Sequence, residues 1–121
     1  MKQNTLLIVD DSKTSRSMTN SILKELNPDI SILQAKDAQE ALNIVAANDI
    51  SYLSIDFNMP GMNGLELAKK IIPAYPDSKI ALLTADIQPD IRRKCEEINV
   101  ACINKPISKI KLQKMLEYFD A

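Results

Sequence analysis

Histidine is absent from this chain, and tryptophan with it. Without imidazole there is no Ser-His-Asp triad, no Cys-His pair and no histidine metal ligand, so any metal must be bound by oxygen, which favours hard cations such as Mg2+ or Ca2+. Cysteine is scarce: Cys95 and Cys102 are too few for a disulfide framework, stand among apolar neighbours, and read as reduced packing residues without a redox role. The chain has 2 glycines, Gly61 and Gly64, both in one loop, which marks that loop as needing unusual backbone. No run approaches the ~20 apolar residues of a membrane span, and the first residues lead into a run too short for a signal peptide, so a cytoplasmic protein with no membrane partner is expected. A net charge of -1 with 26% charged residues supplies no field for nucleic acid.

What is present is a chain of 121 residues and 45% hydrophobic content, enough for one core and too small for two ordinary domains, so residues 1–121 are expected to form a single domain. Short apolar runs alternate with longer stretches of helical period, the pattern of βαβ units in a parallel sheet. Strands are expected at Thr5 to Val9, Ile30 to Gln34, Tyr52 to Ile55, Lys79 to Leu83 and Val100 to Asn104. The second partly alternates and suits a sheet edge. Five helices follow them. The first spans about Lys13 to Leu26 with Met18, Ile22 and Leu26 turned inward, and Asp37 with Glu40 makes a capping box for the second. The third starts near Gly64 and is limited by Pro73, the fourth starts at Pro89, and Ser108 caps the fifth, whose stripe is Leu112, Met115, Leu116 and Phe119.

Four of the apolar runs end in polar residues of different kinds: Asp10 and Asp11, then Asp56, Thr84 and Lys105. In a parallel sheet these ends share one edge, where open α/β folds place ligands. Acids packed there repel one another unless a cation intervenes, and the set suits a divalent ion beside a phosphoryl group. Taken singly, each residue also has a plain reading: Asp10-Asp11 as turn residues, Thr84 as a cap for the next helix, Lys105 as an exposed lysine before Pro106, which permits a cis peptide. Asp56 opens Asp56-Phe57-Asn58-Met59-Pro60-Gly61-Met62-Asn63-Gly64, and a carboxylate there could ligate metal and also attack phosphorus.

Together, Asp10-Asp11, the Asp56 loop, Thr84-Ala85 and Lys105-Pro106 resemble the receiver domain of bacterial response regulators over essentially the whole length. The resemblance implies a flavodoxin-like (βα)5 doubly wound, five-stranded parallel sheet in order 2-1-3-4-5, with Mg2+ in the acidic pocket. It implies Asp56 as phosphoacceptor, Asp11 and Asp56 as metal ligands, Asp10 acting on the metal through water, and the backbone carbonyl of Asn58 completing the set. Thr84 and Lys105 would bind phosphoryl oxygens. Asn58 and Asp86 flank the line of attacking water, and small Ala85 leaves the acceptor open, which together suggest rapid dephosphorylation.

Three positions depart from the family pattern. Cys102 stands where an aromatic ring usually changes rotamer with the threonine; a thiol cannot sweep comparable area, so relay through the loop after Thr84 is expected instead. Asn99 takes the place of a glycine as the expected left-handed cap of the fourth helix. Asn63 replaces a common aspartate outside the pocket.

The competing readings have specific weaknesses. A haloacid dehalogenase-like phosphatase wants a second aspartate where Asn58 stands, and a flavin phosphate would be repelled by Asp10 and Asp11. A receiver-like module that binds protein without taking phosphate is the remaining alternative. The expectation is a stand-alone response regulator without an effector domain, phosphorylated by a histidine kinase or phosphotransfer protein and released by its own hydrolysis or a phosphatase. Its output would be chemotaxis-like binding of a target protein, through the fourth helix, Cys102, Ile110 and Lys114, or phosphorelay. A monomer is expected, with dimerisation on phosphorylation left open.

Overall fold

The computed structural model describes residues 4–120. Five strands, β1 (Thr5–Val9), β2 (Ser31–Ala35), β3 (Tyr52–Asp56), β4 (Lys79–Thr84) and β5 (Ala101–Asn104), alternate with five helices among the described residues. The helices are α1 (Lys13–Leu26), α2 (Ala38–Ala47), α3 (Gly64–Ala74), α4 (Pro89–Glu97) and α5 (Lys109–Asp120). All strand pairings are parallel, in the order β2-β1-β3-β4-β5.

Successive side chains of a strand point to opposite faces, and here they feed two separate cores. Leu7, Val9, Leu53, Ile55, Ile80 and Leu82 join one cluster with residues of α2, α3 and α4. Leu6, Ile8, Ala81 and Leu83 join the other, with Leu23 of α1 and Leu112, Met115 and Phe119 of α5. This is why the central strands read as unbroken apolar runs: each face has its own helical cover. Every fully buried Leu or Ile in these clusters contributes roughly 1.5–3 kcal/mol.

Helix ends follow local chemistry. The Asn63 side chain accepts from Glu66 N at 2.9 Å and Glu66 Oε1 accepts from Asn63 N at 3.1 Å, a complete capping box for α3. At α2 the reciprocal bond is displaced: Asp37 accepts from Glu40 N, but Glu40 Oε1 takes Lys36 N instead of Asp37 N. Pro89 occupies the start of α4, Ser108 Oγ accepts from Lys111 N at 3.2 Å, and Asn99 adopts φ 59 after α4. Pro73 lies in the last turn of α3, which ends one residue later.

Several boundaries and one face differ from the sequence reading. β2 is shifted by one residue, β3 and β4 extend through Asp56 and Thr84, and β5 begins at Ala101, with Val100 held outside it by a bond from its N–H to Cys95 O at 2.9 Å. Met18 is not on the buried face of α1: it is 51% exposed, while Thr19 and Leu23 are buried. Ile22 and Leu26 flank that stripe, so an apolar i, i+4, i+8 series lay one position off the true axis because the polar Thr19 carries part of it.

Candidate functional site at the carboxyl edge of the sheet

The polar residues that close β1, β3, β4 and β5 are held by backbone bonds that continue the sheet past its strands. Asp10 N donates to Ala35 O at 3.1 Å, Phe57 N to Leu83 O at 2.8 Å and Lys105 N to Thr84 O at 2.8 Å. The register pairs Asp56 with Leu83 and Thr84 with Asn104. Asp10, Asp56 and Thr84 are buried; Asp11 is exposed.

One carboxylate oxygen from each of Asp10, Asp11 and Asp56 falls within 4.8 Å of the others. The Lys105 ammonium lies 3.1 Å from Asp56 Oδ1 and 3.7 Å from Asp10 Oδ2. Burial pushes the Asp56 carboxyl above its ordinary value; the hydrogen bond and charge of Lys105 oppose that shift, and Asp10 adds to it. One lysine thus pairs with two of the three acids, and the remaining negative charge suits a hard cation with oxygen ligands.

The Asp56 loop uses its glycines differently. Gly61 has φ +78, a conformation that L side chains rarely adopt. Gly64 is needed for closeness: a Cβ there would lie 2.6 Å from Asp56 O and 3.0 Å from Phe57 Cα, and Gly64 N donates to Phe57 O at 2.9 Å. The start of α3 is therefore pressed against the backbone that carries Asp56.

Thr84 is positioned at the edge, but its hydroxyl is engaged with the next turn, donating to Asp86 O at 3.3 Å and accepting from Asp86 N at 3.3 Å. It does not cap α4, whose start has no side-chain cap. Asn58, Thr84 and Asp86 line a cleft of about 250 Å³ with Phe57, Gln88, Asp90 and Ile91. Gln88 Nε2 donates to Asp86 Oδ2 at 3.0 Å, fixing the carboxylate at the cleft wall. Ala85 is exposed, and Lys105-Pro106 is cis. Cys102 is not drawn into the pocket; it packs against the cluster under α4.

Two contributors went unread in the sequence. Arg16 Nη1 donates to Asp10 O at 2.7 Å and its Nε to Gln34 Oε1 at 3.2 Å, tying the acidic loop to α1 and to β2. Ser12 caps α1, and its N–H donates to Asp10 Oδ1 at 2.9 Å. The usable signal was Ser12 directly after the acids, since a cap there puts Arg16 one turn up the helix, beside them.

A doubly wound sheet in this order, with an acidic trio, a threonine and a lysine gathered at its carboxyl edge, is the architecture of a phosphoryl-responsive signalling domain. The chain belongs to the response regulator receiver domain family, which it matches over residues 6–117. It is 40% identical over 84 residues to a chemotaxis protein CheY homolog of Campylobacter jejuni, covering 67% of this chain and 64% of that protein. It is 31% identical over 97 residues to the cyclic di-GMP phosphodiesterase response regulator RpfG of Xanthomonas campestris, covering 78% of this chain and 26% of that protein. The chain thus spans just under two thirds of the one relative and about a quarter of the other. The structure of the chemotaxis protein CheY4 of Vibrio cholerae superposes with a TM-score of 0.88 at 26% identity, covering 98% of this chain and 99% of that one. Receiver domains generally use Mg2+ at such an acidic site, take phosphoryl groups from histidine kinases and act on downstream targets. No helix among the described residues is long and apolar enough to cross a membrane.

Proposed function

We propose that residues 1–121 act as one receiver unit in which Asp56 is the phosphoacceptor. The observation that carries this reading is the Lys105 ammonium at 3.1 Å from Asp56 Oδ1, inside a trio of acids whose oxygens lie within 4.8 Å. A carboxylate oxygen of Asp56 attacks the phosphorus of a phosphohistidine on a kinase or phosphotransfer protein. The N–P bond breaks, the imidazole nitrogen recovers a proton, and an acyl phosphate remains on Asp56.

Asp10, Asp11, Asp56 and the backbone carbonyl of Asn58 would hold Mg2+, with Asp10 acting through water. When bound, the ion offsets the charge of the acids and of the incoming phosphoryl oxygens. Lys105 keeps its place while its partner changes from carboxylate to phosphoryl oxygen, and Thr84 reaches the phosphoryl group only by giving up Asp86. That exchange releases the loop leading into α4, so relay from pocket to surface runs through the backbone after Thr84. Asn58 and Asp86 at the cleft wall position the water that later hydrolyses the acyl phosphate, a self-limiting step that a phosphatase can assist.

Output is binding of another protein, chemotaxis-like or in a phosphorelay, on the face made by α4, β5 and α5, where Ile110 is 71% exposed. The domain acts as a cytoplasmic monomer. Incubation with acetyl phosphate and Mg2+ is expected to add one phosphoryl group to wild type, and none to Asp56→Asn or in the presence of excess chelator. Equal labelling of wild type and Asp56→Asn contradicts the assignment.

A further inference from the structure

Asp10 has a partner on each of its polar groups. Its N–H donates to Ala35 O at 3.1 Å, its Oδ1 accepts from Ser12 N at 2.9 Å, and its Oδ2 faces the Lys105 ammonium at 3.7 Å. Its carbonyl accepts from Arg16 Nη1 at 2.7 Å. Asp11, the next residue, is exposed, so packing around its side chain does not orient it. The direction in which Asp11 leaves the backbone is set by the planar peptide unit between the two acids, and Arg16 holds the oxygen of that unit. The arginine is fixed at both ends. Arg16 N donates to Ser12 O at 3.0 Å in the first turn of α1, and its Nε donates to Gln34 Oε1 at 3.2 Å on β2. A planar guanidinium presents these two donors in fixed directions, which a single ammonium does not.

We propose that Arg16 is a positioning residue for the metal pocket: it fixes the peptide that carries Asp11 and thereby raises the affinity of the acidic trio for Mg2+. Resting on the proposed assignment of Asp10, Asp11 and Asp56 to Mg2+, this role makes affinity depend on a side chain whose bonds go to a main-chain oxygen and an amide. Lys105, by contrast, lies on Asp56 Oδ1 itself. Arg16 therefore steadies the acids without occupying their carboxylate oxygens. Groups that hold metal ligands from behind typically change affinity about ten- to a hundredfold. Position and charge act in opposite directions here. A cation beside the pocket repels Mg2+, so losing the guanidinium charge alone would tighten binding, whereas losing its hold on the peptide loosens it. Gln34 gives the edge strand β2 a part in a site to which it supplies no ligand.

The test titrates magnesium chloride into the unphosphorylated full chain at constant ionic strength and follows amide shifts of isotope-labelled protein. These give a dissociation constant and show that each variant is folded. Arg16→Gln is expected to raise the Mg2+ dissociation constant about tenfold or more. Gln34→Ala, which leaves Arg16 its charge and its bond to Asp10 O, is expected to raise it about threefold in the wild-type background and not at all in Arg16→Gln. A residue that served only the fold would lower the urea midpoint of the metal-free protein and leave the Mg2+ titration of the folded variant unmoved. Unchanged or tighter Mg2+ binding by folded Arg16→Gln overturns the proposal while the wild-type site stands, and so do additive effects of the two substitutions. No saturable shifts in wild type, or Asp11→Asn binding as wild type does, overturns the metal assignment and this role with it.

Discussion

At the carboxyl end of the sheet, Asp10 and Asp56 are buried beside one lysine; at the amino end, Tyr52 lies flat on Phe119 with ring centroids 4.8 Å apart at 11°. The same strands supply both ends. The carboxyl end collects like charges whose mutual repulsion Lys105 relieves only in part, while the amino end buries rings. A cavity of about 570 Å³ lies at that amino end, bounded by Tyr52, Tyr75 and Phe119, and none of Asp10, Asp11, Asp56 or Lys105 lines it. Chemistry should therefore be lost from one end with little loss of stability, and stability from the other with little loss of chemistry.

Substitutions can break that division. Phe119→Ala removes a ring that is 2% exposed and is expected to destabilise the fold by about 3–5 kcal/mol in urea unfolding, while phosphorylation per folded molecule is unchanged. Lys105→Met is expected to slow phosphorylation by acetyl phosphate about a hundredfold, since it removes the cation that faces the transferred oxygens. Gly64→Ala places a methyl 2.6 Å from Asp56 O; a cost of about 1–3 kcal/mol is expected together with slower phosphorylation, because the displaced backbone carries the acceptor. That variant blurs the division by design, and its two effects should rise and fall together.

Smaller effects sharpen it. Burial holds the Asp56 carboxyl above its ordinary value, so the fold bears a cost once this group ionises; Asp56→Asn is expected to raise the melting temperature of the metal-free protein at neutral pH. A lower melting temperature would contradict the picture of a strained acidic edge. At the other end, burial and then Asp120 raise the Tyr52 phenol above its ordinary value of 10.0. The folded state then keeps that proton longer than the unfolded state, so its contribution is complete below the unfolded value and declines as pH rises through the folded one. Tyr52→Phe is expected to remove this small step from an alkaline series of urea midpoints.

The same contrast explains what could be read from the sequence. Strands covered on both faces announce themselves as runs such as Leu6-Leu7-Ile8-Val9, and polar residues at their ends are conspicuous for interrupting them. The acidic trio and Lys105 were legible for that reason. Met18 misled because apolar spacing cannot show that Thr19 is the buried member of its pair. Arg16 was invisible because its bond to the acidic loop is made to a backbone carbonyl and its side-chain partner, Gln34, lies 18 residues away on another element. The bond between Thr84 and the Asp86 turn depends on a hydroxyl rotor that both readings of Thr84 allowed.

The most direct measurement locates the phosphoryl group itself. Wild type treated with acetyl phosphate and Mg2+, then trapped by borohydride reduction of the acyl phosphate and sequenced by tandem mass spectrometry, is expected to show homoserine in place of aspartate at Asp56. Reduction at Asp10, at Asp11 or at no aspartate would contradict the account of the carboxyl edge.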